Sequence, residues 1–346
     1  MITDKAMLVS VHFSVWTARK HDKRVTERVA QEYGADTRAG RYNKKLLANA
    51  EKLEEINNLV GRIRKWVCSV TLPWSDDGPR ILPAEIYFEF GKQWTGFESE
   101  FERAVEEFLA VYHQYVEEVR PILGAMFRED EYPSVARLRE KFSIKRDILP
   151  IPTGADFRVS LNQAEQERIA REIDEANKRT MAAGIRELWQ RLYKVVRHMA
   201  DQFGDPGRKL YATTIENVKD LVDLLPMLNL AADPDLTALT ERARAELCQY
   251  TTEDLKRSPA TRKAVAAQAA GIAQTIASTI NIPESEATPG EHPESATSDG
   301  GEDEAPAIAF AEPAPAATPS NDVQQQVEAI TSHMLPFMNL KMAATA

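Results

Sequence analysis

Glycine is sparse in this 346-residue chain, at 15 residues. None of them are gathered into a Gly-x-Gly-x-x-Gly or Walker-type loop, so the glycine-rich phosphate cradles of nucleotide enzymes are absent and a nucleotide enzyme is not the expectation. Cysteine is rarer still: Cys68 and Cys248 are the only two. They lie far apart in periodic surroundings and read as buried free thiols in a reducing compartment, not as a disulfide framework. The six histidines, His12, His21, His113, His198, His292 and His333, are scattered, and no Cys or His pair has metal-ligand spacing. A Gly-x-Ser-x-Gly elbow is missing too. No apolar run approaches the ~18 residues that would span a bilayer. Near the start, Ser10, His12 and Ser14 interrupt the apolar stretch, and a basic run over residues 19–24 stands where a small-residue cleavage site would be needed. The expectation is a cytoplasmic protein with no cofactor, no membrane segment and no small-molecule substrate.

What is present is an uneven distribution of charge. The formal net charge is −10. Residues 284–322 alone hold ten acidic residues and no Lys or Arg, so the remainder is balanced. This stretch is rich in Pro, Ala, Ser and Glu and poor in large apolar residues. It cannot bury enough surface to offset chain entropy, and a disordered acidic linker is expected over residues 283–322. Apolar residues then return at helical spacing: Val323, Val327, Ile330, Met334, Leu335, Phe337, Met338 and Leu340. Residues 323–340 read either as a tethered amphipathic docking helix, with Val327, Ile330, Met334, Leu335, Phe337, Met338 and Leu340 as partner contacts, or as a helix packing back on the body.

Residues 1–282 read as the folded body. Residues 8–16 alternate, with Val9, Val11, Phe13 and Val15 on one side, as in a half-buried strand. A helix is expected over residues 20–33, ending at Gly34. Another is expected over 42–65, where Leu46, Leu53, Val60 and Val67 recur every seven residues, with Ile56, Ile63 and Val70 between them. Residues 67–73 should be extended, and the Asp77-Gly78 pair marks a turn before a short strand at 80–82. A helix with a broad aromatic face follows, from residue 83 or 91 to 127, and Pro121 should kink or end it. Its seven acids, Glu98, Glu100, Glu102, Glu106, Glu107, Glu117 and Glu118, form a solvated face. A short strand is predicted at 156–161. Helices are predicted at 162–203, 210–225, 234–250 and 258–279. The fold class is therefore mainly α with a small β-sheet (α+β): a long-helix bundle with coiled-coil-like antiparallel arms.

Residues 1–70 contain fourteen Lys or Arg against eight Asp or Glu. Arg19, Lys20, Lys23, Arg24, Arg41, Lys44 and Lys45 are candidate nucleic-acid contacts, with Trp16, Tyr33 and Tyr42 interleaved. The alternative is a basic face that pairs with the acidic helix over residues 97–120.

Val9-Ser-Val-His-Phe-Ser-Val-Trp-Thr-Ala-Arg-Lys20 resembles the start of an uncharacterised family of phage and mobile-element proteins. The stretch Leu247-Cys-Gln-Tyr-Thr-Thr-Glu-Asp-Leu-Lys-Arg-Ser-Pro259 resembles its C-terminal part, so the resemblance spans roughly residues 6–280. Members are often encoded near AAA-type ATPases and recombination genes. This implies DNA metabolism and supplies no catalytic residues. The sequence thus points to a non-enzymatic, oligomerising scaffold or adaptor with a protein partner. The alternatives are a DNA-binding accessory factor for replication or recombination, and a virion structural component.

Overall fold

In the computed structural model, the described residues are 2–75, 78–154 and 162–280. The strand expected at 156–161, the acidic linker and the C-terminal docking helix lie outside them. Nine α-helices and six strands are present among the described residues. Four strands form one antiparallel sheet in the order β4 (Leu72–Pro73), β5 (Arg80–Pro83), β1 (Ala6–Ser14), β6 (Ser143–Leu149). A separate two-stranded ribbon joins β2 (Arg19–His21) to β3 (Asn43–Lys45), with α1 (Lys23–Glu32) between them in sequence.

The alternation of β1 serves two cores. Ala6 and Leu8, with Leu72 of β4 and Ile81 of β5, face a helical layer made of α5 (Gln163–Gly204), α6 (Ala212–Leu228), α7 (Pro234–Leu247), α8 (Thr252–Arg257) and α9 (Pro259–Ile280). Met7, Val9, Val11 and Phe13, with Leu82, face α2 (Glu51–Ser69) and α3 (Tyr87–Leu123) on the other side. Opposite residues in a ladder share a face, so the pairs Leu8↔Ile81 and Met7↔Leu82 keep this division in register.

The heptad positions of α2 are buried: Leu53, Ile56, Val60, Ile63 and Val67 all face the aromatic stripe of α3. Ion pairs from Lys52 to Glu107 and from Arg62 to Glu100 show that the two helices run antiparallel. On the other side α5 and α9 also run antiparallel, because Arg262 at the start of α9 bonds the Phe203 carbonyl at the end of α5. Ala266, Ala269 and Ala273 are buried on α9, and their small side chains permit close approach.

Several boundaries differ from the sequence reading. The helix expected from residue 42 begins at Glu51. Residues 43–45 are extended because they complete the ribbon, and the Leu46 N–H donates to the Ala18 carbonyl. At its other end α2 continues to Ser69, past the expected stop at 65, because Val67 is still on the buried stripe. β1 starts at Ala6 and stops at Ser14, and Trp16 leaves the sheet to pack on Phe108 and Tyr112. Pro121 does not end α3, which runs on to Leu123 and stops at Gly124 with φ +50°. So near the end, the ring forfeits only a last-turn bond. β6 was not anticipated, since Lys145, Arg146 and Asp147 break its apolar alternation. Such charges are typical of an edge strand. Nor were the short helices α4 (Val135–Arg139) and α8. Cys68 is exposed rather than buried, and Cys248 is half-buried; both are free thiols.

One side chain stitches the layers together. The guanidinium of Arg191 on α5 donates to the carbonyls of Cys68, Ser69 and Thr71 at the C-terminal end of α2, each at 2.8 Å. These carbonyls have no partner within the helix, and a cation there also opposes the negative end of the helix dipole. Arg191→Met should cost on the order of 2–3 kcal/mol in urea unfolding. Arg191→Lys should recover only part of this, because an ammonium lacks the planar fork.

Candidate nucleic-acid interface

The ribbon and α1 form a small module held by a buried charge. Asp22 caps α1, its carboxylate accepting from the Val25 N–H. Thr26 sits one turn later: its hydroxyl donates to the Asp22 carbonyl and accepts the Tyr42 N–H. The Asp22 N–H in turn donates to the Tyr42 carbonyl. At the far end of α1, Gly34 takes a positive φ of 60°. Its N–H reaches Gln31 and the Ala35 N–H reaches Ala30, a Schellman closure that glycine permits without strain.

Lys44 is the centre of the module. Its side chain is fully buried, and its ammonium lies 2.6 Å from Glu131 Oε2 and 3.3 Å from Asp22 Oδ2. It also donates to the Met126 carbonyl at 2.8 Å. Lys20, paired with Lys44 across the ribbon, approaches the other Glu131 oxygen at 3.9 Å. The 124–132 segment that follows α3 therefore clamps the ribbon. Tyr132 completes the clamp by donating its hydroxyl to the Leu46 carbonyl at 2.9 Å. Burial, then the Glu131 charge, pushes that hydroxyl up to about 12, so it stays a donor. Burial alone would raise the Asp22 carboxyl. The Val25 N–H, the Lys44 ammonium and the Arg24 charge together outweigh it, and Asp22 lies below the usual carboxylate range.

The seven nominated cations thus divide. Lys44 is a correction: it is a buried anchor and cannot reach a phosphate. Lys20 is shared between solvent and Glu131. Arg19, Lys23, Arg24, Arg41 and Lys45 are exposed and form no ion pair among the described residues. Arg19 and Lys45 are register partners and so share the ribbon face opposite to Lys20 and Lys44. Arg24 and Arg28, four residues apart on α1, share a helix face. Tyr33 and Tyr42 are exposed at 79% and 40%.

The alternative pairing with the acidic helix forms in part: Lys52 and Arg62, two of the cations of residues 1–70, pair with Glu107 and Glu100 of α3, whereas none of the seven nominated cations does so among the described residues. Two further acids of α3 pair with other residues, Glu106 with Arg139 of α4 and Glu117 with Arg120. Glu98 accepts from the Trp94 indole. Among the described residues no group of three or more His, Cys, Asp or Glu side chains is arranged to hold a metal ion, and no helix is long and apolar enough to cross a membrane.

The clamp residues Glu131, Met126 and Tyr132 were not foreseen. They lie more than eighty residues from Lys44 and Leu46, and nothing local in the sequence marks them. No protein family, curated protein or solved structure matches this chain.

Removing the anchor should expose its role. Lys44→Met leaves Asp22 and Glu131 facing each other and should cost about 3–5 kcal/mol in urea unfolding. Its exposed neighbour gives the contrast: Lys45→Ala should stay within about 0.5 kcal/mol of the parent. The pH dependence has opposite signs in the two proteins. In the parent, the depressed Asp22 carboxyl contributes stability above its unfolded value of 3.8 that is lost as pH falls below it. In Lys44→Met, burial governs Asp22 and raises it, so acid relieves the unpaired charge. The gap in urea midpoint between the two proteins should therefore shrink between pH 7 and pH 4.5.

Proposed function

We propose that this chain is a non-enzymatic nucleic-acid-binding accessory protein of a phage or mobile element, whose N-terminal module lies on the phosphate backbone. The observation that carries this reading is the split among its cations. Two are tied into the clamp that holds the ribbon, and five are exposed and form no ion pair among the described residues. Uncompensated cations on a held surface are what counterion release acts on. Tyr33 and Tyr42 add exposed rings on which unpaired bases can stack. Backbone contacts of this kind carry no base specificity, so the reading implies binding with little sequence preference.

A second reading, a helical scaffold with protein partners or self-association, has its own support in the body. β6 is an edge strand that exposes Ile148 and Leu149, and Phe88 at the start of α3 is 81% exposed. The docking peptide on which the sequence argument for a scaffold rested lies outside the described residues. Nucleic-acid binding is therefore the reading with the more direct support.

Fluorescence anisotropy with duplex and single-stranded DNA at two salt concentrations tests the first reading. Affinity should fall steeply with salt. Replacing Arg19, Arg24 and Lys45 together by Ala should reduce the logarithmic salt slope on duplex by roughly 2–3 and lower the urea midpoint only slightly, through loss of the Arg24 charge near Asp22. A salt-insensitive or undetectable interaction would sink the proposal, and light scattering on the same samples would then report whether the scaffold reading takes its place.

A further inference from the structure

Three basic dipeptides, Arg208-Lys209, Lys256-Arg257 and Arg262-Lys263, are separated in sequence and brought together by the fold. Four of these residues, Lys209, Lys256, Arg262 and Lys263, line an open cleft of about 780 Å³ between the end of α5, the loop that follows it, α8 and the start of α9. In each dipeptide the arginine is engaged internally. Arg208 pairs with Asp205, and Arg257 with Glu253. Arg262 donates to the carbonyls of Gln202, Phe203, Asp205 and Arg208, closing the C-terminal end of α5. The lysines are left over. Lys209, Lys256 and Lys263 all line the cleft, all are exposed, and none forms an ion pair among the described residues. No Asp or Glu lines the cleft with them.

Three ammonium groups around one concavity repel each other, and an anion placed there relieves that repulsion. The wall is otherwise apolar and partly aromatic. Phe203 and Leu255 are buried beneath it, and Tyr211 is 52% exposed at its side. The volume lies within the range of small-molecule sites.

We infer that this cleft binds a small phosphate-rich anion with a flat apolar body, the class of nucleoside di- and triphosphates. The phosphates sit among Lys209, Lys256 and Lys263, and the body lies against Tyr211. This site is independent of the proposed N-terminal interface and shares none of its residues.

Equilibrium binding of ATP to the full chain, followed by calorimetry, tests the inference. Saturable binding is expected, displaced by pyrophosphate and not by adenosine. Lys256→Gln with Lys263→Gln should weaken ATP by roughly tenfold or more. Tyr211→Ala should weaken ATP several-fold and leave pyrophosphate unaffected. These side chains are exposed, so melting temperature should hold, and it verifies that each variant is folded. Replacing Arg19, Arg24 and Lys45 should leave ATP binding intact, which separates this site from the N-terminal one. Two results overturn the inference: no saturable ATP binding, or ATP binding indifferent to the lysine pair. A third outcome, in which the lysine pair weakens a fifteen-nucleotide oligothymidylate while ATP does not bind, also overturns it and makes the cleft part of a nucleic-acid surface.

Discussion

The whole body depends on a sheet of which one part, the first half of β1 with β4 and β5, is covered on both faces. A strand buried on one face only would satisfy the alternation of β1, but here both sets of side chains are used. Ala6 and Leu8 go to the α5–α9 layer, and Met7, Val9, Val11 and Phe13 to the α2–α3 layer. A one-residue slip against β5 would exchange the two sets, placing small side chains against the aromatic stripe of α3 and larger ones against α5. Register is therefore fixed from both sides at once. The pairings of Ile81 and Leu82 with β1 repeat the same division on the neighbouring strand. Everything else is placed relative to this wall, including the N-terminal module, which leaves β1 directly through Trp16 and Ala18.

A second constraint is the free carbonyls at helix ends. Two long helices end against arginines from distant elements. Arg191 reaches three carbonyls at the end of α2, and Arg262 reaches four around the end of α5. Both are planar forks aimed at negative dipole ends, which makes them cross-links between layers rather than ordinary surface charges. This also explains why α2 extends beyond its predicted stop. The last turn is supported from outside by Arg191 and by the Thr71 hydroxyl, which donates to the Val67 carbonyl.

The parts of the fold that were legible in the sequence are those specified by local pattern. The heptad of α2, the aromatic stripe of α3 and the capping Asn162 of α5 are all periodic or short-range signals, and helices form over them, except that the first heptad position, Leu46, precedes α2. What escaped is specified by contact at long range. Residues 43–45 carry an apolar-adjacent, helix-compatible pattern, and they become a strand only because Arg19–His21 lies beside them. β6 has three consecutive charges, and its identity as a strand comes from pairing along the whole of β1's second half. The candidate interface was half legible. Composition located the cations correctly on one module, but composition cannot distinguish Lys44 from Lys45, because that difference is made by Glu131 and Met126, which arrive from the far end of α3.

The near-neutral balance of the body hid two local imbalances, and both arise by the same physical route. In the N-terminal module, Lys44 is drawn to Asp22 and Glu131 and Lys20 to Glu131, and Arg19, Lys23, Arg24, Arg41 and Lys45 form no ion pair among the described residues. Around the α5–α9 cleft, Arg208, Arg257 and Arg262 take the local carboxylates and carbonyls, and Lys209, Lys256 and Lys263 are left over. Fold stability needs only the first group in each case. Placing several like charges together at solvent is weakly unfavourable for the isolated chain, since it adds self-repulsion with no compensating contact. A surface that carries this cost in two places gains nothing from it in the folding of the body itself, and it is at these two places that the proposed anions would relieve it.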